Sequence, residues 1–420
     1  MPAKIFCIAS PKGGSGKTVI TATLAAFLAG IGKKVLIIDG DAATNGLTLF
    51  YLKDVQAQDA LAHENKRIPF GIYEIGQQMV FTETPDSDFF TLKNKDPEVI
   101  TLLNGVHFIP AIYEFKDTEL IPAQSFHEAL KFFITSAKQN YDYIFIDAQA
   151  GSDECAKICM DRNISDEVII VSEYDPISTT GILRIRALLK EDLSPNRIWI
   201  LYNKLLPDIA KAYGDFAKVE RALPPIPWDS DVVKAYTNLN LALDLENGNE
   251  YTLAIIRVIK SLLGEISSEI DEWMKQRAAV IRQPINKQYD DLELQLKENL
   301  RSIDELYRKK DKNIIITALK FAFASIFLII VILLFFSLLF VSLASLLRSP
   351  EFALLMEIFI IAIFAMMFYI VSNKLKESPE FQVKKSRLLR QQSILEEKLK
   401  KMEVLKTADL ETLVKYKKLE

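Results

Sequence analysis

The sequence predicts a doubly wound α/β domain with a mostly parallel sheet, followed by a helical coiled stalk and a two-helix transmembrane hairpin. Three observations carry this expectation. Short apolar stretches ending in polar residues alternate with helical patterns through the first 262 residues, as strands do when helices cross over between them. A glycine-rich turn joins the first such stretch to an apolar helix. Beyond Gly264 the pattern becomes charged helix, then heptads, then two long apolar runs.

Lys4 to Ala9 reads as a buried strand, and Val19 to Leu28 as a helix. Between them lie Lys12, Gly13, Gly14, Ser15, Gly16, Lys17 and Thr18. Strand, glycine turn and helix together form the context of a phosphate-binding loop. Glycines at 13, 14 and 16 let backbone amides approach phosphate oxygens, and the following helix adds the positive end of its dipole. Lys17 is placed to reach the β- and γ-phosphates of a nucleotide, and Thr18 to set its hydroxyl on Mg²⁺.

With a second lysine at position 12, the loop resembles the deviant Walker A motif of the ParA/MinD family of ATPases. The resemblance implies a P-loop ATPase domain that takes ATP and Mg²⁺ and forms an ATP-dependent homodimer. Lys12 would then reach the nucleotide of the other subunit.

The strand after Lys34 ends in Asp39 and Asp41, at the carboxyl edge of a parallel sheet. By the resemblance Asp41 orients the attacking water and Asp39 lies nearer the metal, although Asp39 also fits a capping role. Residues 50 to 100 read as polar and irregular, with Gly71 opening a short family-like helix. Residues 105–111 form a strand in which His107 reads as structural. Tyr141 to Gly151 is an apolar strand ending in Asp147, the acid a Walker B strand supplies to Mg²⁺. Gly151 stands where a γ-phosphate-sensing amide is needed. Gln149 fits either a water-positioning role or a plain exposed one.

Further strands end at Asp175-Pro176 and at Asn203. By the resemblance Asn203 reads the purine edge, and the Pro227 loop flanks the base. The resemblance covers roughly residues 3 to 262.

Residues 1–250 carry 24 Lys and Arg against 34 Asp and Glu, whereas residues 251–420 carry 27 against 21. The acidic first part argues against nucleic acid as a partner, because such binding needs a basic footprint. The basic remainder suits a membrane surface. Cys155 and Cys159 stand four apart, but no other Cys or nearby His completes a metal set, and with Cys7, in the first strand, they read as reduced thiols.

After a charged stretch, Pro284 is expected to interrupt the helix. Beyond it Ile285, Tyr289, Leu292, Leu296, Asn299, Ile303, Leu306 and Lys310 recur at heptad spacing. Phe321 to Leu347 is 27 residues without a charge, and Phe352 to Val371 is 20 residues with one acid, Glu357. Each is long enough to cross a bilayer, which needs about 20 apolar residues. Lysines and arginines flank the outer ends, so the positive-inside rule puts both termini in the cytoplasm and the Arg348–Glu351 turn outside. Leu388, Leu395, Leu399 and Met402 then return as a second stalk helix.

The expected organisation is an ATPase domain over 1–262, a stalk over 263–312, spans at 313–347 and 352–372, and a returning helix over 373–420. The expected function is a multi-pass inner-membrane ATPase whose ATP-dependent dimerisation recruits or positions a protein partner of unknown identity at the lipid bilayer. A bacterial tyrosine kinase would also join such a domain to a membrane hairpin, but it would carry a tyrosine-rich tail, and after Tyr369 only Tyr416 remains. A nucleotide-binding scaffold with little turnover is the other alternative.

Overall fold

The computed structural model describes residues 2–41, 43–64, 71–81, 99–113, 122–188, 197–206, 221–243, 249–342 and 378–419, with scattered residues between 354 and 373. The chain forms two compact units, Met1–Val280 with Asp409–Glu420, and Ile281–Ala408. The first unit thus runs beyond residue 262 and takes in the end of the chain.

The first unit is built on a sheet of β1 (Lys4–Ser10), β2 (Val35–Gly40), β3 (Ile100–Thr101), β4 (His107–Ile109), β5 (Tyr143–Ala150), β6 (Glu167–Ser172) and β7 (Ile198–Tyr202). The strand order is β3-β4-β2-β5-β1-β6-β7, with every pair parallel except β3 with β4. The sheet is thus mostly parallel and carries helices, the doubly wound α/β arrangement that the sequence predicts. β1 sits inside the sheet and is buried from Ile5 to Ser10, which is why it reads as a continuous apolar run rather than an alternating one.

Helices α1 (Lys17–Gly30), α2 (Gly46–Phe50), α3 (Leu52–Glu64), α4 (Ile72–Phe81), α5 (Ala123–Ala137), α6 (Glu154–Met160), α7 (Pro176–Leu188), α8 (Ser230–Thr237) and α9 (Glu250–Leu262) complete the domain. The stretch expected to be irregular apart from a short helix opened by Gly71 holds that helix as α4 and a further one, α3. The start of α4 is held by the Glu74 carboxylate, which accepts from the amides of Gly71 at 2.9 Å and Tyr113 at 2.8 Å. Residues 65–70 and 82–98 lie outside the described residues. His107 is bonded through Nδ1 to the Tyr141 hydroxyl at 2.6 Å. Cys7 and Cys159 are buried and Cys155 half-buried, all as free thiols.

The long helix α10 (Ser267–Ser342) passes through Pro284 without a break. Proline removes a single amide there, and the helix continues on the remaining bonds. In the second unit α10 pairs antiparallel with α11 (Pro379–Thr407). Lys406 lies over the Tyr289 ring at 3.9 Å, and Tyr307 meets Phe381 edge-on at 5.8 Å. The seam positions Ile285 and Asn299 are buried, and Tyr289, Leu292, Leu296, Ile303, Leu306 and Lys310 half-buried. On α11, Leu395 and Leu405 are buried. Ser378 caps α11 by accepting from the Phe381 amide at 3.2 Å. The last helix, α12 (Leu410–Leu419), belongs to the first unit and buries Leu413 and Val414.

Among the described residues one helix is long and apolar enough to cross a membrane, by length and composition, and it lies within Gly264–Ile332. Most of the second apolar run, 352–371, and all of the Arg348–Glu351 turn fall outside the described residues, so the expected two-helix hairpin lies largely outside them too.

Candidate functional site

The carboxyl ends of β1, β2, β5 and β7 converge on a cavity of about 460 Å³, within the range of nucleotide-sized ligand pockets. It is lined by Gly13 to Val19, Asp41, Thr44, Gln149, Asn203, Lys204 and the 227–236 segment, among others. The strand ends supply chemistry here because crossover helices cover both sheet faces and leave only this edge open.

Register places the acids. β2 and β5 pair so that Asp39 faces Asp147. Both carboxylates are fully buried. Lys17, the first residue of α1, sends its ammonium to Asp147 Oδ1 at 3.1 Å and lies 4.0 Å from Asp41 Oδ2. Burial pulls the Lys17 pKa down, but the Asp147 and Asp41 carboxylates outweigh it and hold the lysine above its ordinary value. Thr18 donates to Asp147 Oδ2 at 2.7 Å, and Thr21 to Asp147 Oδ1 at 3.2 Å. Lys17, Thr18 and Asp147 are therefore brought together.

Asp39 is placed differently from its expected metal role. Its Oδ2 accepts from both the amide and the hydroxyl of Thr48, at 2.8 and 2.6 Å, and its Oδ1 accepts from the Asp41 amide at 3.1 Å. The Thr48 hydroxyl accepts in turn from the Ala111 amide at 2.9 Å. Asp39 ties β2 to α2 and to the chain after β4. Burial and the neighbouring Asp147 push its carboxyl up to about 7, against the pull of Thr48. Asp41 lines the cavity and accepts from the Thr44 hydroxyl at 2.6 Å and the Thr44 amide at 2.8 Å.

Gly14 and Gly16 hold φ of +81° and +90°, a region that disfavours any side chain. A Cβ at Gly16 would also lie 2.4 Å from Asn203 Nδ2. The Ser15 hydroxyl is buried without a partner inside this cradle. Gly13 is open on its Cβ side.

Three expected site residues stand apart from their expected contacts. Gly151 donates its amide to the Ser10 carbonyl at 2.9 Å rather than presenting it to the cavity. The Asn203 side-chain nitrogen donates to the Ser15 carbonyl at 2.8 Å, so the amide expected on a purine edge holds the loop. Lys12 turns to Glu173 Oε2 at 2.8 Å and Asp175 Oδ2 at 3.0 Å, on its own chain. Those two acids raise the Lys12 pKa. Ser178, followed by Lys12, lowers that of Asp175. Pro227 lines the cavity beside Trp228 and Tyr236.

Sequence reasoning missed Glu173, Lys204, Thr44 and Thr48. The last two could have been found as hydroxyls a few residues beyond buried acids. The first two meet the loop only through the tertiary fold.

Among the described residues no group of three or more His, Cys, Asp or Glu gathers as a metal site. A cation held by few protein ligands, the rest of its shell being phosphate and water, needs no such group. The Thr18 hydroxyl and Asp147 carboxylate, hard oxygens 2.7 Å apart, fit Mg²⁺ of that kind.

Fold and loop together define a P-loop nucleotide-binding domain. A family model described as an AAA domain matches residues 3–195. An ATP-binding protein of Methanocaldococcus jannaschii is 23% identical over 62% of this chain and 88% of its own length. The septum site-determining protein MinD of Bacillus subtilis is 24% identical over 61% and 88% respectively. The Bacillus subtilis sporulation initiation inhibitor Soj is 32% identical over 34% and 49%. Among solved structures, MinD of Pyrococcus horikoshii complexed with Mg-ADP aligns at 21% identity over 64% of this chain and 98% of its own, with a TM-score of 0.47. The family match and the curated relatives support a P-loop ATPase of the ParA/MinD type in the first part of the chain.

Proposed function

We propose that the chain is a membrane-anchored ATPase whose ATP-bound form dimerises to recruit or position a partner protein at the bilayer. The observation that carries this reading is the assembly of Lys17, Thr18 and Asp147 beneath a glycine cradle whose buried serine hydroxyl lacks a partner. Loop amides and Lys17 bind the phosphates. Thr18 and Asp147 would hold Mg²⁺, which when bound supplies charge neutralisation on the phosphate oxygens. Asp39 steadies the strand edge from which Asp41 orients water toward the γ-phosphate. Lys12 leaves its two acids and reaches the nucleotide of a second copy. Catalysis by these residues is positioning and electrostatic stabilisation, with little covalent chemistry for the protein to perform.

The membrane part of the reading rests on α10. Between Ile315 and Phe335 most of its described large apolar side chains stand exposed, Phe323 by 71% and Phe327 by 69%. A largely exposed apolar surface of that length is at home in lipid. The α10–α11 pair supports a chain that leaves and returns on the same side, because Tyr307 and Phe381 meet at its end.

Purified full-length protein in lipid vesicles tests the reading. Mg²⁺-dependent ATP turnover and ATP-dependent self-association are expected, with Lys12→Ala retaining nucleotide binding and losing both. Equal turnover for Lys12→Ala and the parent would remove the trans role of Lys12. Absence of turnover in the parent would leave a nucleotide-binding scaffold.

A further inference from the structure

Two consecutive residues at the end of β7 each hold one carbonyl of the phosphate loop. Asn203 Nδ2 donates to the Ser15 carbonyl at 2.8 Å, and the Lys204 ammonium donates to the Gly14 carbonyl. A trans peptide is planar, with its N–H opposed to its C=O. Turning the Gly14 and Ser15 carbonyls toward β7 therefore turns the amides of Ser15 and Gly16 the other way. Gly14, Ser15 and Gly16 all line the cavity. Lys204 adopts φ 58°, a left-handed conformation uncommon for a residue with a side chain and often kept where function demands it. Its ammonium also donates to Glu173 Oε1 at 3.0 Å, and the other oxygen of that carboxylate holds Lys12.

We propose that Lys204 is a positioning residue for phosphate binding. It holds the Gly14 peptide so that the Ser15 amide faces the phosphates, while Asn203 does the same for the next peptide and Glu173 anchors the lysine. The inference rests on the reading of the cavity as an ATP site. Lys204 acts through the backbone and not on the nucleotide itself. The loop amides cradle the α- and β-phosphates, so ADP and ATP depend on Lys204 equally.

The test is equilibrium binding of ADP and a non-hydrolysable ATP analogue to the full-length chain in detergent, with Lys204→Ala, Lys204→Gly and Lys204→Arg. Glycine suits the left-handed backbone and guards against misfolding. Ala and Gly should weaken both nucleotides by the same factor, roughly tenfold for one lost charge-assisted bond. Arg, which keeps a cationic donor, should recover most of the affinity. The melting temperature without nucleotide should not fall for Gly. Parent-like affinity in both Ala and Gly would overturn the proposal. A loss confined to the ATP analogue would also overturn it, because that marks direct contact with the γ-phosphate. If the parent binds neither nucleotide, the ATP-site reading itself fails and this proposal with it.

Discussion

The cavity end of the sheet and the apolar length of α10 stand in opposite relations to solvent. At the cavity, Lys17, Asp39 and Asp147 are withdrawn from water, and each is met by partners from its own chain. Between Ile315 and Phe335, most of the large apolar side chains among the described residues are left in the open. A buried charge must bring its partners with it, since an unpaired one costs several kcal/mol. An exposed apolar helix must instead find its solvent outside the chain. The buried charges of the first region thus find their partners within one copy, and the second region is completed by its surroundings.

The largest expected break in this contrast is at Lys17. Lys17→Ala removes the ammonium that neutralises Asp147 and leaves a buried carboxylate uncompensated. The domain should lose about 3–5 kcal/mol of stability, read from denaturant unfolding. Nucleotide binding should vanish with it. Unfolding at parent-like denaturant concentration would show that Asp147 finds other compensation. Lys12 makes the opposite case, because its acid partners are partly exposed and such pairs contribute about 0–1 kcal/mol.

How much of this was legible follows from distance along the chain. The phosphate loop is local, so spacing alone exposes it. Asp39, Asp41 and Asp147 are legible because strand ends deliver them to one edge. The heptad seam is legible because helical periodicity is local too. The clasp on Lys12 joins residues 163 apart, and the Lys204 bond to Gly14 spans 190. No local pattern encodes either. Nor does spacing reveal that the amide of Gly151 is committed to Ser10, or that the oxygens of Asp39 are already taken. Pro284 was misleading for a physical reason: it removes one hydrogen bond from a helix whose flanks are otherwise well paired.

The apolar region is tested by charge. Phe327 stands in the middle of the exposed stretch. Phe327→Lys should disfavour membrane insertion of α10 by about 2.5–3.5 kcal/mol, the cost of lysine at a helix centre. An insertion reporter carrying this segment measures the shift. Unchanged insertion would mean that the stretch does not lie at bilayer depth.

The cavity region is also tested by pH. The folded Asp39 carboxyl keeps its proton up to about 7. The unfolded chain loses that proton near about 3.9. Between these values the folded state holds the extra proton, so stability without metal falls as pH rises from about 4 to about 7, then levels off. Asp39→Asn cannot ionise and should flatten that slope, gaining about 1–3 kcal/mol at pH 8 relative to pH 5 against the parent. Melting curves in chelator at both pH values give the comparison. Parallel curves for variant and parent would assign the pH response elsewhere.

The smallest effect is expected in the stalk, where the two rules meet. Asn299 lies on the seam between the Tyr289–Lys406 and Tyr307–Phe381 contacts, 5% exposed, with its Oδ1 unpaired. An unsatisfied buried amide costs about 1–3 kcal/mol, so Asn299→Leu should stabilise the helix pair by about 1–2 kcal/mol. A single polar residue in such a seam is a register device: slipping the helices moves it against a different neighbour, while an all-apolar seam tolerates several alignments. Cysteines at 296 and 399 should therefore crosslink within one chain of the parent. In the Asn299→Leu background that pair should lose selectivity against 296 with 395 or 402, even as the melting temperature rises. Greater stability with unchanged crosslink selectivity would show that the register is set by the aromatic and lysine contacts at the two ends of the pair, and that Asn299 is only a cost.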